Sequence, residues 1–342
     1  MLNLRLSEFG IPPLQLQISR WSTVWLALTL IVTLGCSTDP QAAIDNYPNK
    51  TITIVCPWSA GGGTDQCSRF WADQFQQRLD TPVVVMNREG GSGAIGHSAV
   101  AHARPDGYTL GAITVELSMM KQMGISDLTF RDYDLLLQYN ADSAALVVRS
   151  DAPWKTTEEF LEAVRTGDTP LKMSGTASGG IWDLARVGML HAAGIDPERV
   201  TWVPSKGSAP ARTQLLGGHI DAVVVSVPEA KPQIDAGELR LLAVMDDERH
   251  VDFPDVPTLK ELGIDWSAVG WRGLALPKET PPEITEKLVA RAEEIAASEE
   301  FLEFMKLNGF AVKVRGPEEF KEFLNEQEAL WTPVIEMAGY HQ

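Results

Sequence analysis

One stretch, Thr51–Asp65 with the sequence TITIVCPWSAGGGTD, sets most of what this chain can become. Thr51 to Cys56 is a short β-branched run of the kind that forms a buried strand, and Pro57 ends it. Ser59 to Thr64 is a loop of small residues. Asp65 then opens an amphipathic helix with Trp71, Phe75 and Leu79 on one stripe. A strand that runs through glycines into a helix leaves the first helical N–H groups without intrahelical partners, and the helix dipole adds positive potential there. Such a place suits an anion. Glycine lets the backbone approach it closely, because no Cβ intervenes. A tight connection capped by Thr64 or Asp65 is the plainer reading of the same residues.

The unit recurs along the chain. Pro82 to Met86 reads as a second buried strand, Asn87 to Gly96 as a glycine loop, and a helix follows through Ala103. The turn Arg104-Pro105-Asp106-Gly107 leads to a third strand, Tyr108 to Val115. Ala144 to Val148 is a further strand, broken by Asp151-Ala152-Pro153. The helix Thr157 to Thr166 has Thr156 as N-cap and Glu159 three residues on. Strand, small-residue loop and helix return at Leu171–Met173, Ser174–Gly180 and Ile181–Ala193, and again at Val200–Val203, Pro204–Pro210 and Ala211–Leu216. Strands follow at Ile220–Val225, Leu239–Met245 and Trp271–Leu276. Helices are expected at Pro282–Ala297 and Glu300–Leu307, a short strand at Phe310–Val314, and a terminal helix at Pro317–Gly339 with a kink at Pro333.

This alternation predicts α/β architecture with parallel-rich sheets. The glycine and serine loops fall at strand carboxyl ends, where open α/β sheets bind ligands. They come in two pairs, one in each half of the chain. Two similar lobes facing each other across a cleft are therefore expected, as in periplasmic binding proteins that close on a ligand by hinge motion. The division places residues 47–145 and 270–342 in lobe 1 and residues 146–269 in lobe 2, with the chain crossing at Ala144–Val148 and Trp271–Leu276. A strand at Phe310–Val314 belonging wholly to lobe 2 would contradict it.

Residues 1–46 read as an export signal and tether. Arg20 precedes the apolar run Val24–Leu34, which is too short to span a membrane, and the small residues Gly35-Cys36-Ser37 follow. Leu34-Gly35-Cys36 resembles a bacterial lipobox, although Thr33 stands where leucine is usual. Lipidation would then make Cys36 the new N-terminus and anchor the chain to a membrane; ordinary cleavage near Ser37 is the alternative. The formal net charge of -17 argues against nucleic acid as a partner, since binding it needs a basic face. Cys56 and Cys67 could pair in an exported protein. The alternative is two buried thiols, because a strand end and a helix turn must meet tight Cα limits to be bridged. No His/Cys spacing suggests a metal, and His97 and His102 are poorly spaced for shared ligation.

Several motifs invite an enzyme reading. Gly91-x-Gly93-x-x-Gly96 matches a dinucleotide fingerprint, with Glu116 in the position of a ribose ligand. Against it, Asn87-Arg88-Glu89 separate the strand from the glycines, and an exported chain has little access to NAD. The Gly61–Asp65 loop is not a P-loop, since no Lys-Ser/Thr follows it. Ser178 has no evident histidine partner and sits in no G-x-S-x-G elbow. His191, His219 and His250 read as surface or structural residues. No DNA-binding segment is visible of the kind an intracellular regulator would need. An exported α/β enzyme acting on a small anionic or phosphorylated substrate is the alternative function.

From Tyr47 to Gly339 the chain resembles the solute receptors of tripartite tricarboxylate transporters, the TctC or Bug family. The residues that carry the resemblance are Tyr47-Pro48, Pro57-x-x-x-Gly61-Gly62-Gly63-Thr64-Asp65, Asn87-Arg88 with Gly91 to Gly96, and Pro105 to Leu110. Lys206 to Ala211, Leu216-Gly217-Gly218-x-x-Asp221 and Pro254 to Thr258 extend it. The resemblance implies a type II-like, two-lobe periplasmic binding protein without a cofactor. It would act as a monomer, capture a small carboxylate such as a di- or tricarboxylate, and deliver it to membrane permease subunits. Carried across, the lobe 1 contacts are Ser59, Gly62, Thr64, Asp65, Ser92 and Ala94. Those of lobe 2 are Thr176, Ser178, Gly179, and Lys206 to Ser208. Many members have an aspartate where this chain has Val225, shortly before Pro228. Its absence argues against an amino-acid ligand and leaves Ser226 as a neutral polar contact. Arg272 departs from the aromatic pair usual at that place. It could offer a bidentate fork to a ligand carboxylate or join a surface or hinge salt bridge.

Overall fold

A computed structural model describes Ile44 and residues 46–340. The expected export signal, the lipobox with Cys36 and most of the tether lie outside the described residues.

The first unit forms as its sequence dictates. β1 (Ile52–Cys56) is buried almost throughout and runs into α1 (Gly63–Leu79), which buries Trp71 and Phe75. The helix opens at Gly63, two residues before the expected Asp65, and Gly62 is its N-cap with no side-chain cap. The Trp71 ring packs 5.4 Å from Tyr139 and 5.6 Å from Phe301, so the apolar stripe of α1 is met by distant segments. Among the described residues β2 (Val83–Asn87) pairs only with β1 and is the outermost strand of the sheet, with Val84 and Met86 exposed to 46% and 43%. The expectation of a second buried strand fails here: a run of valines reads alike at an edge and in a core. α2 (Ala94–Ala101) and β3 (Thr109–Thr114) complete the unit, with β3 parallel to β1.

The strand that reads as Ala144–Val148 is far longer. β4 spans Tyr133–Arg149 and passes from one sheet into another. Its first part pairs antiparallel with β9 (Val269–Pro277) as far as Ser143, and with β10 (Val312–Arg315) at Gln138 and Asn140. From Ala144 onward it pairs with β7 (Ala222–Ser226) and β8 (Leu239–Met245). The strand order runs β2-β1-β3-β9-β4-β7-β5-β6, with β5 at Leu171–Ser174 and β6 at Val200–Trp202. Pairing is parallel among β1, β2 and β3 and among β5, β6 and β7, and antiparallel around β4 and β9.

Helices cover both sheets. The second carries α3 (Thr157–Thr166), whose Glu159 amide is capped by Thr156 as expected, then α4 (Ile181–Ala192) and α5 (Ser208–Leu216). A further helix, α6 (Val227–Asp235), fills a span between β7 and β8 to which the sequence reading assigns no element, with Pro228 and Pro232 inside it. Pro228 falls in the first turn, where its missing N–H costs nothing. α7 (Pro282–Ala296), α8 (Glu299–Leu307) and α9 (Pro317–Met337) return to the first sheet, where Phe320 of α9 packs edge-on against Trp271 of β9 at 5.4 Å.

Candidate functional site

The loops at the strand ends of both sheets converge on one cavity of about 30 Å³. The first sheet contributes Trp58 and Gly62–Thr64 after β1, and Thr114–Glu116 at the end of β3. The second contributes Thr176, Ile181 and Trp182 after β5, Gly207 and Ser208 at the start of α5, and Glu229 from α6. Gly270, Trp271 and Arg272 of β9 form the floor.

At the start of α1 the Gly63 amide donates to Glu229 Oε1 at 3.1 Å. Ser208 Oγ donates to the same oxygen at 2.7 Å, and Arg272 Nη2 lies 3.6 Å from it. Glu229 Oε2 accepts from the Ser226 amide at 3.0 Å, one half of a capping box on α6. Burial alone would raise the Glu229 carboxyl, but the Arg272 charge and these hydrogen bonds hold it below the usual range. A Cβ added to Gly63 would lie 2.7 Å from Arg272 Nη2, so glycine is what lets the helix start come this close.

A second glutamate does the same at the start of α4, whose N-cap Gly180 has no side-chain cap. The Ile181 amide donates to Glu116 Oε1 at 3.2 Å, and Thr114 Oγ1 donates to Oε2 at 2.5 Å. Among the described residues no cation forms an ion pair with this carboxylate; burial pushes its pKa up, and its hydrogen bonds and the more distant Arg272 charge offset only part of that.

Arg272 is buried, and its Nε and Nη1 are engaged. It donates to Asp142 Oδ2 at 2.5 Å, Asn140 Oδ1 at 2.8 Å and Thr64 Oγ1 at 3.0 Å. Burial lowers its pKa and the charges of Asp142 and Glu229 more than restore it, so its net shift is upward. Of the two expectations for Arg272, the structure displays a salt bridge, one that ties β9 to β4 beneath the cavity rather than lying at the surface.

Of the residues expected to bind solute, Gly62, Thr64, Thr176, Gly207, Ser208 and Arg272 line the cavity. The others surround it. The Asp65 carboxylate accepts from the Gly61 amide, Asn87 Nδ2 and the Arg69 fork, all at 2.9–3.0 Å. Burial would raise it, and these partners hold it low; it braces the loop rather than facing the cavity. Ser92 Oγ donates to Ser178 O at 2.7 Å and the Ser59 amide to Lys206 O at 3.3 Å, so both pairs join the two sheets' loops. The Lys206 ammonium is exposed, 3.8 Å from Glu89. The Gly179 amide donates to Asp183 in the first turn of α4. Ser226 is buried at the end of β7, and Ala94 begins α2; neither reaches the cavity wall.

Sequence reasoning missed Glu229 altogether and met Glu116 only within the dinucleotide pattern. The spacing Ser226-x-x-Glu229, a helix-start signature, was the available signal for the first. The third glycine of that pattern has a packing role, since a Cβ on Gly96 would fall 2.6 Å from Pro57 Cα. His97 is neutral and structural: burial drops its pKa to about 4, Nδ1 lies 2.8 Å from Gly93 O and Nε2 accepts from the Thr114 amide. Cys56 and Cys67 are both buried free thiols, and burial pushes Cys56 up to about 11. Among the described residues no His, Cys, Asp and Glu cluster is placed to hold a metal, and no helix is long and apolar enough to cross a membrane.

Comparison with known proteins places this geometry. The model of the tripartite tricarboxylate transporter family receptor, TctC, matches residues 67–340. The solved periplasmic binding protein BugD superposes with a TM-score of 0.80 at 27% identity, over 86% of this chain and 99% of that one. MatC from Rhodopseudomonas palustris, solved with bound malate, gives 0.78 at 25% identity over 84% and 100%. Another R. palustris protein, solved with adipate, gives 0.80 at 26% identity over 86% and 99%. The fold is therefore the α/β architecture of periplasmic binding proteins.

Proposed function

The chain belongs to the tripartite tricarboxylate transporter receptor family, and from that premise we propose that it captures a small carboxylate outside the cytoplasm and hands it to the membrane permease of such a transporter. One observation carries the choice of ligand. The first amides of α1 and α4, from opposite sheets, face the same cavity, and the donors around Gly63 are gathered on a carboxylate oxygen. The malate and adipate seen in two similar proteins support a dicarboxylate or related organic acid. The chain works as a receptor that returns its solute unchanged. The two sheets joined by β4 are the two lobes, with boundaries near 145/146 and 269/270. Gly62, Thr64, Thr176, Ser208 and Arg272 form the inner contacts, and Ser59, Asp65, Ser92, Ala94, Ser178, Gly179, Lys206 and Ser226 shape the loops that bring them together. The mature protein is a monomer held at the membrane by lipid on Cys36.

Calorimetry against malate, adipate, citrate and aromatic acids tests the solute class. A panel member should bind reversibly without chemical change, and Gly62→Val should weaken it at least tenfold, by blocking the approach to the first amides of α1. Binding untouched in a folded Gly62→Val protein would move the site elsewhere. Turnover of a panel acid would instead favour the enzyme reading. For the anchor, Cys36→Ala should shift the protein from the membrane to the soluble fraction and lower its mass by a lipid; unchanged fractionation and mass would rule lipidation out.

A further inference from the structure

The two glutamates form a reciprocal pair. Each is pinned within its own half of the molecule: Glu229 by the Ser226 amide and Ser208 Oγ, and Glu116 by Thr114 Oγ1. Each then crosses the cleft to the first amide of the other half's helix, Glu229 to Gly63 and Glu116 to Ile181. Both helix starts lack a side-chain cap of their own. An acid at a helix start is favoured by the local dipole and by the otherwise unpartnered N–H. At the Gly63 end the surrounding donors are also those of a carboxylate site: one amide, one hydroxyl and the edge of a guanidinium meet a single oxygen. Glu229 supplies that oxygen.

We propose that Glu229 and Glu116 are a built-in latch: their carboxylates hold the cleft closed from both sides, and Glu229 competes with the solute carboxylate for Gly63, Ser208 and Arg272. The competition rests on the solute reading above; the latch does not. Closure that is already populated shortens the conformational step a solute must drive, whereas an internal anion on the same donors lowers the apparent affinity of an external one. The pairing therefore sets how tightly the receptor holds its cargo. A second negative charge brought beside Glu229 without displacing it would meet Arg272, whose charge already faces Asp142, and Arg212, which already donates to the Glu229 carbonyl.

Two measurements decide it. Malate and adipate are titrated into wild type and into Glu229→Gln, with circular dichroism and melting as fold controls. Glu229→Gln keeps the shape, removes the competing charge, and should bind whichever acid wild type binds about tenfold more tightly, a difference of about 1.4 kcal/mol. Equal or weaker binding by a folded variant overturns the competition while leaving the solute reading standing. Small-angle scattering from dialysed wild type needs no variant. Without added solute its radius of gyration should match the closed structure and change little when malate or adipate is added. A larger radius that contracts on adding either acid overturns the latch. Should neither acid bind either protein while the radius is that of the closed form, the latch holds and the solute reading fails.

Discussion

At the Gly63 end of the cleft a glutamate meets a helix-start amide beside a buried guanidinium. At the Ile181 end another glutamate meets another helix-start amide, and its nearest company is the Thr114 hydroxyl, itself taking a hydrogen bond from Trp58 Nε1 at 3.4 Å. The hydrogen bond across the cleft is the same at both ends and nearly the same length, 3.1 and 3.2 Å. The acids respond in opposite directions. Arg272 keeps Glu229 below the usual carboxylate range, whereas burial drives Glu116 above it. Geometry alone therefore does not say what a carboxylate at a helix start contributes. The charge behind it decides whether burial or the neighbouring cation sets the direction of its shift.

Arg272→Ala tests that difference most severely. The substitution leaves Asp142 and Glu229 buried without their shared cation, and breaking a buried pair by removing one partner typically costs about 3–5 kcal/mol. The urea midpoint should fall accordingly, with the first part of β4 losing its side-chain tie to β9 while the backbone pairing remains. A loss below about 1 kcal/mol, the worth of an exposed pair, would mean that the Gly63 end is no more charged in practice than the Ile181 end. If the variant folds, a large loss of affinity for a bound carboxylate would add a direct part for the guanidinium in recognition.

The same contrast explains what could be read from the sequence. The β1–α1 unit was legible because every determinant is local: a β-branched run, a proline, glycines, then Trp71 and Phe75 at helical spacing. β8 was legible to the residue as a mostly apolar run, Leu239–Met245, with Gly237-Glu238 before it and Asp246-Asp247 after it. The first part of β4 was not. Gln138, Asn140 and Asp142 alternate along it, and all three are buried. Such a strand looks soluble until its partners are known, and those partners, Arg315 and Arg272, lie more than 130 residues away in sequence or at that distance. Glu229 escaped for the same reason, since its amide partner is 166 positions distant. Reading Val225 as the loss of an acidic contact looked at the right strand and missed the carboxylate that the next helix carries into the cleft. Lys206 shows the converse: a cation in a motif-rich loop, with its charge turned to solvent and only its carbonyl in the site's framework.

The smallest expected effect is at the other end, in Glu116→Gln, and it is read from the pH dependence of stability. A carboxyl whose folded pKa is raised holds its proton in the native state over a pH range where the unfolded chain has lost it. The native state then binds more protons, so stability falls as pH rises from the unfolded value through the folded one. Wild type therefore carries at Glu116 a contribution that is whole below the unfolded value and lost as pH rises through the raised folded one. Glutamine is permanently neutral and of similar shape, so its own contribution does not titrate. Glu116→Gln should match wild type in acid within about 1 kcal/mol, the worth of one hydrogen bond, and gain on it as pH rises. Glu229 has the opposite sign: its stabilisation is present above the unfolded value and lost as pH falls through the lowered folded one. Urea melts of wild type, Glu116→Gln and Glu229→Gln between pH 4 and 8 would separate the two slopes. Parallel curves for the two variants would erase the distinction between the ends of the cleft, whereas a crossing pair would establish that the two glutamates contribute to stability with opposite pH dependence.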